Sequence, residues 1–340
     1  MNLLVCGAAG FIGSNFVRHR LETHPEDRIV VLDALTYAGN LSTLADVRDR
    51  IEFIPGRIQD RTSVRGILED HKITHLVNFA AETHNDRSIL ETDLFIETNC
   101  LGTHVLLELT REFGIEKLVH VSTDEVYGSI REGAFTEASP LEPNTPYSAS
   151  KAAGDLMCRA HFTTYKTPVV VTRGGNNYGP YQYPEKLIPF FIVRLLQGKK
   201  VPLYGDGSQS REWIHAMDHC RAISLVLERG EPGTVYNIGT DQEVQNRVIV
   251  DQLLAATGRG PELVRSIPDP RKGAHDWRYS MTTDRVRALG WEPEHQVEEE
   301  IPKVVDWYRK NEGWWRPIIE HPEYVRFVQR FYGPGLGEDL

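Results

Sequence analysis

Apolar residues fall in short unbroken runs separated by longer stretches of helical spacing. Asn2-Leu-Leu-Val-Cys6 is one such run, stopped by Gly7; Phe11 to His24 follows as an amphipathic stretch; Ile29-Val-Val-Leu32 is a second run, ending in Asp33. Short apolar runs predict strands buried on both faces, and the 3.6-residue period between them predicts a covering helix, together one βαβ unit. The rhythm recurs, with strands expected at Glu52 to Ile54, His75 to Phe79, Leu118 to Ser122 and Pro168 to Thr172. Such alternation implies an α/β fold, a parallel sheet covered by helices on both sides. Beyond about residue 180 the pattern changes: Tyr178-Gly-Pro-Tyr-Gln-Tyr-Pro and Tyr204-Gly-Asp-Gly punctuate shorter helices, and one more strand, Val235 to Ile238, is expected to return to the main sheet. The expected layout is a nucleotide domain over residues 1–180, a smaller, partly interleaved α/β substrate lobe over 181–320, and a tail over 321–340 that frays.

Composition narrows the partners. With 38 Lys+Arg against 48 Asp+Glu the net charge is −10, which argues against nucleic acid or an anionic membrane and requires any anionic small substrate to find a local basic pocket. No apolar run approaches the roughly 20 residues of a membrane span. The first residues run straight into a strand without a basic leader, so a cytoplasmic protein is expected. Cys6, Cys100, Cys158 and Cys220 are far apart in apolar or helical contexts and read as reduced structural thiols. The 13 histidines include no paired metal spacing, and no metal is assigned.

The chemistry sits at the ends of the predicted strands. Gly7-Ala-Ala-Gly10-Phe-Ile-Gly13 follows a strand and opens a helix, where backbone N–H groups can face a pyrophosphate; Asp33, twenty residues beyond Gly13, is placed to accept from a ribose hydroxyl and to disfavour a 2′-phosphate. A Rossmann-type, doubly wound sheet binding NAD rather than NADP is the expectation. Tyr147 and Lys151 lie four apart on one helix face, where an ammonium lowers the phenol's pKa and makes it a base for an alcohol proton. Upstream, Ser122-Thr123-Asp124-Glu125 adds two acids at the C-terminal end of a strand, which simple alcohol oxidation would not require. Lys186, Arg211, Arg271, His275 and Arg278 are what the second lobe offers to a diphosphate.

Together these stretches resemble the extended short-chain dehydrogenase/reductase family and, within it, the dTDP-glucose 4,6-dehydratases. The likeness is carried by Asp33-Ala-Leu-Thr-Tyr-Ala-Gly-Asn40, Ala80-Ala-Glu-Thr-His-Asn-Asp-Arg-Ser88, Thr123-Asp-Glu125, Tyr147-Ser-Ala-Ser-Lys151, Asn176-Asn-Tyr-Gly-Pro-Tyr-Gln-Tyr-Pro-Glu-Lys186 and His275-Asp-Trp-Arg-Tyr279. It implies oxidation of dTDP-glucose at C4 by Tyr147 and Lys151 with Thr123 at O4, loss of water across C5 and C6 through Glu125 and Asp124, and hydride return to C6, so that NAD stays bound and is recycled. It further implies Phe11, Ile12, Asp33, Thr36, Ile58, Ala80, Ala81, Thr83, Thr98, Tyr147, Lys151 and Asn177 around NAD. Around the sugar nucleotide it implies Thr83, Thr123, Asn176, Glu185, Lys186, Leu187, Pro202, Tyr204, Arg211, Asn246, His275 and either Arg271 or Lys272. Residues 91–113 and 148–165 match the helices through which relatives pair, implying a homodimer with a four-helix interface. Several positions depart from the family: Arg57 stands where an acid usually meets the adenine, Cys6 replaces a small hydroxyl residue before the glycine turn and Gly174-Gly175 a Cys-Ser pair, changes that loosen the pocket wall, Glu212 replaces an Asp, the segment 269–275 is one residue longer, and Trp277 takes the place of an Arg. The alternatives are a UDP-glucose dehydratase, an epimerase or decarboxylase of the same fold, and, in a different class, a non-catalytic NAD-binding sensor.

Overall fold

The computed structural model describes residues 1–269 and 278–337. The first six strands are β1 (Asn2–Cys6), β2 (Arg28–Asp33), β3 (Glu52–Pro55), β4 (His75–Asn78), β5 (Lys117–Thr123) and β6 (Val169–Gly174). They are followed by β7 (Asn176–Tyr178), β8 (Val201–Tyr204), β9 (Ser210–His215), β10 (Val235–Ile238), β11 (Glu243–Gln245) and β12 (Val264–Ile267). The main sheet has seven strands in the order β10-β6-β5-β4-β1-β2-β3, and every neighbouring pair is parallel. Successive side chains of β1 feed opposite layers: Leu3 and Val5 join the core on one face, Leu4 and Cys6 the core on the other. A strand that must be apolar on both sides shows no alternation, which is why these strands read as unbroken apolar runs.

The helices of the first part are α1 (Phe11–Thr23), α2 (Arg61–Asp70), α3 (Asn85–Leu90), α4 (Thr92–Phe95), α5 (Thr103–Glu112) and α6 (Pro146–Tyr165). Those of the second are α7 (Leu187–Leu196), α8 (Ala216–Arg229), α9 (Asn246–Thr257), α10 (Asp284–Ala288), α11 (Val297–Lys310), α12 (Glu312–Glu320) and α13 (Pro322–Leu336). One face of the main sheet is covered by α1 and α8, the other by α2, α5 and α6. The second lobe is built on α7, α9, α11, α12 and α13, with two small sheets ordered β11-β9-β7 and β12-β8.

Three features differ from the sequence reading. The return to the first lobe is larger than one strand, because α8 packs on α1 and Val286 and Trp291 enter the same core as β10. The short strands β7, β8, β9, β11 and β12 were not expected; at three to six residues each they are too brief for their pairing to be read from periodicity. The tail does not fray over residues 322–336. Those residues form α13, capped by His321, and Tyr324, Phe327, Val328, Tyr332 and Leu336 pack into the second core, with Tyr332 stacked 4.8 Å from Phe190. Their three-to-four residue spacing is helical, and the Gly and Pro residues at the end of the chain masked it.

Because Phe327 is buried against that core, Phe327→Ala should lower unfolding free energy by about 3 kcal/mol. A urea titration with an unchanged midpoint would show that α13 contributes nothing to the fold.

Candidate active site

The winding of the sheet reverses between β1 and β4, and ligands of open α/β sheets sit at the strand ends where this happens. One continuous cleft opens there. On its floor the glycine turn lies hard against the next strand. A Cβ on Gly7, at φ +80°, would stand 2.5 Å from the Ala80 nitrogen, and one on Gly13 would stand 2.6 Å from the Gly7 oxygen. Gly10 caps α1 with no side-chain hydrogen bond, so no side chain covers the helix N-terminus. Asp33 is locked at the end of β2: Oδ2 accepts from the Ala9 N–H and Oδ1 from the Leu35 N–H, each at 2.8 Å. Burial pushes its pKa up, while these two donors pull it down. Bare backbone at a helix start and a fixed acid at the second strand end fit a dinucleotide. Gly7, Gly10, Phe11, Ile12, Gly13, Asp33, Thr36, Ile58, Ala80, Ala81, Thr83, Thr98 and Asn177 all line this cleft, and so does Arg57.

Tyr147 and Lys151 enter from α6. That helix begins with Thr145 and Ser148 in a reciprocal capping box and with Pro146 in its first turn, which fixes where Tyr147 starts. The Lys151 ammonium donates to the Val121 carbonyl at 2.7 Å, and burial lowers its pKa to about 8. The expected lowering of the phenol is outweighed. Tyr147 is held above its ordinary value by burial and by Glu125, and a hydrogen bond with Thr123 pulls only partly the other way.

Thr123 ends β5 and starts the short turn that carries both acids. Its hydroxyl donates to Asp124 Oδ1 at 3.1 Å and accepts from the Glu125 N–H at 3.3 Å. Asp124 is 3% exposed and Glu125 9%. Burial, then the neighbouring Glu125 charge, holds Asp124 well above the usual carboxylate range, with Glu212 adding to the effect. The arrangement therefore favours the proton on Asp124, beside a second carboxylate whose Oε2 accepts from Asn85 Nδ2 at 2.6 Å.

Asn176, Glu185, Lys186, Leu187, Pro202, Tyr204, Arg211 and Asn246 line the same cleft from the second lobe. Lys186 bridges to the Thr83 carbonyl at 3.3 Å, and the Arg211 guanidinium lies 4.6 Å over the Tyr279 ring. Glu185 is occupied on both oxygens, by the Tyr37 hydroxyl and by Arg87 Nε, each at 3.0 Å. Arg278 is not in the cleft; it pairs with Glu243. Arg271, Lys272, His275 and Trp277 lie outside the described residues.

The family model described as GDP-mannose 4,6-dehydratase matches residues 4–304. The chain belongs to that family. Among its relatives, dTDP-glucose 4,6-dehydratase of Streptomyces niveus is 48% identical over 325 residues, covering 94% of this chain and 96% of the relative. The enzyme of the same name from Streptomyces antibioticus is 46% identical over 340 residues, 98% of this chain and all of the relative. Among solved structures, DesIV, a dTDP-glucose 4,6-dehydratase from Streptomyces venezuelae with NAD and dTDP bound, superposes with a TM-score of 0.90 at 48% identity, covering 94% of this chain and 100% of that one.

Within this dehydratase-family cleft three residues escaped the sequence reading. Asn85 and Tyr279 lie inside the quoted stretches but carry no chemistry a pattern would single out. His219, in α8, has no sequence signal; it shares a 3.0 Å hydrogen bond with Asn177 and burial lowers its pKa to about 4, leaving a neutral ring. It also corrects the reading of Gly174: a Cβ there would meet the His219 ring at 2.4 Å, so the glycine lets the imidazole close against the wall instead of loosening it.

Gly13→Ala forces a side chain into the Gly7 carbonyl and the Ala8 Cα. The purified variant should lose the dinucleotide, read as the nucleotide content of acid-denatured protein; a content equal to wild type would remove the cofactor from this turn.

Proposed function

We propose that the protein is an NAD-dependent dTDP-glucose 4,6-dehydratase that makes dTDP-4-keto-6-deoxyglucose and water. The observation that carries the reading is the pair Asp124 and Glu125, buried together at the end of β5 beside Tyr147, the first in surroundings that favour its proton and the second accepting a hydrogen bond from Asn85. An epimerase needs no such pair, because it breaks no C–O bond at C6. The near full-length identity to proteins named for this activity supports the substrate assignment.

NAD, when bound, takes hydride from C4 and later returns it to C6. Tyr147 accepts the C4 hydroxyl proton, and Thr123, hydrogen-bonded to the same phenol, holds O4 in line. To accept that proton Tyr147 must already be a phenolate, and the buried Lys151 ammonium, its pKa lowered to about 8, stabilises that charge before the C4 proton is taken and discharges it. The C4 ketone acidifies C5–H. Glu125 takes the C5 proton, the released pair forms the C5–C6 double bond, and the C6–O bond breaks as Asp124 gives its proton to the departing hydroxyl. Glu125 then returns its proton to C5. Lys186 and Arg211 supply positive charge for the diphosphate.

A homodimer is part of the proposal. Ile96 and Leu101 are 50% and 49% exposed between α4 and α5, and Leu156 is 55% exposed on α6. Apolar side chains on neighbouring helices support pairing with a second copy through a four-helix contact. Among the described residues no helix is long and apolar enough to cross a membrane, and we place the enzyme in the cytoplasm with its nucleotide-sugar substrate.

Incubated with dTDP-, UDP- and CDP-glucose, the protein should give the alkali-induced absorbance of a 4-keto-6-deoxy product fastest with dTDP-glucose. Equal rates with UDP-glucose would overturn the base assignment. Asp124→Asn and Glu125→Gln should each cut turnover by about 10²–10⁴-fold. Turnover should also fall on the alkaline side as Asp124 loses its proton, a limb that Asp124→Asn cannot show. The double variant Leu101→Glu, Leu156→Glu should run as a monomer in light scattering; an unchanged mass would exclude this interface.

A further inference from the structure

We infer that Asn85 is a positioning residue that selects Glu125, and not Asp124, as the carboxylate that removes the C5 proton. The inference rests on the dehydratase reading and deepens it. Asn85 opens α3, 40 residues from Glu125 in sequence, and its Nδ2 donates to Glu125 Oε2 at 2.6 Å.

The direction of that amide is set from its other end. The Thr145 Oγ1 that caps α6 accepts from the Ser148 N–H at 3.1 Å, while the Ser148 hydroxyl donates back to the Thr145 carbonyl at 3.2 Å. The Thr145 Oγ1 also lies 2.9 Å from the Ser148 hydroxyl, and with Ser148 as the donor within this capping pair the Thr145 hydrogen goes to Asn85 Oδ1, 2.8 Å away. With its oxygen occupied by a donor, the amide must turn its N–H₂ toward the carboxylate. A donor at a carboxylate favours the charged form, whereas a buried acid beside another charge favours the proton. Burial and the neighbouring Glu125 charge favour the proton on Asp124, while the Asn85 amide presents its donor to the Glu125 carboxylate.

In the elimination the C5–H bond breaks toward Glu125 Oε, its electron pair becomes the second C5–C6 bond, and the C6–O pair leaves with the Asp124 proton as water. Asn85 touches none of the reacting atoms. Its removal therefore slows elimination without slowing the C4 oxidation that precedes it. The α6 N-terminus thus serves both halves of the reaction, holding Tyr147 directly and Glu125 through Thr145 and Asn85.

The test is single-turnover stopped flow with dTDP-glucose on holoenzyme, following reduced nicotinamide at 340 nm and 4-keto product after quench. Asn85→Leu should let the 340 nm signal build up before product appears. Its steady-state turnover should fall about 10–100-fold with KM within about twofold, less than the ~10²–10⁴ expected for losing the base itself. Asn85→Asp keeps the shape, removes the donor and adds a charge; it should show the same build-up, and it carries the test if the leucine variant does not fold. Traces of a folded variant that follow the wild type, or a loss confined to KM, would overturn the role. A wild-type enzyme that yields no 4-keto product would instead overturn the dehydratase reading.

Discussion

A parallel sheet must send each connection over one of its faces, and where the winding changes direction two neighbouring strand ends are left uncovered. In this chain the change falls between β1 and β4. The first lobe's side of the cleft is reached from that opening: the glycine turn after β1, Asp33 at the end of β2, Ala80 and Ala81 after β4, and the acids after β5. At the close approach of Gly7 to Ala80 backbone meets backbone, and no residue with a side chain fits there without displacing it.

The second constraint is electrostatic. Two adjacent carboxylates and a phenol are shut away from water together, an arrangement that costs stability and that a structural site would avoid. The fold tolerates it by giving the groups polar neighbours: Thr123, shared by Asp124 and the phenol, an amide for Glu125, and a backbone carbonyl for the Lys151 ammonium. The two carboxyl side chains thus have different partners.

The sequence made the sheet and the glycine turn on the cleft floor legible because both obey local rules. Buried parallel strands announce themselves as apolar runs, and a glycine turn followed by an acid at a fixed distance needs no tertiary information. The acids and the Tyr147–Lys151 pair were legible because they too are local, placed by strand end and helix period. What stayed hidden depends on distant contacts. Asn85 matters only because residues 40 and 60 positions away come to meet it, and His219 only because Gly174 leaves it room. Arg278 looked available to the diphosphate until Glu243 was found beside it. The terminal helix α13 was lost behind the glycines and proline of its own last turn.

The strand β10 and helix α8, which return to the first lobe after the second has begun, give the chain a particular modular grammar. The second lobe is not a terminal appendage but is threaded through the first, with α8, β10 and the Val286 to Trp291 segment stitched back into it. Recombination at a single point therefore cannot exchange one substrate lobe for another. A hybrid made that way would join a sheet edge and a covering helix from one parent to a core shaped by the other.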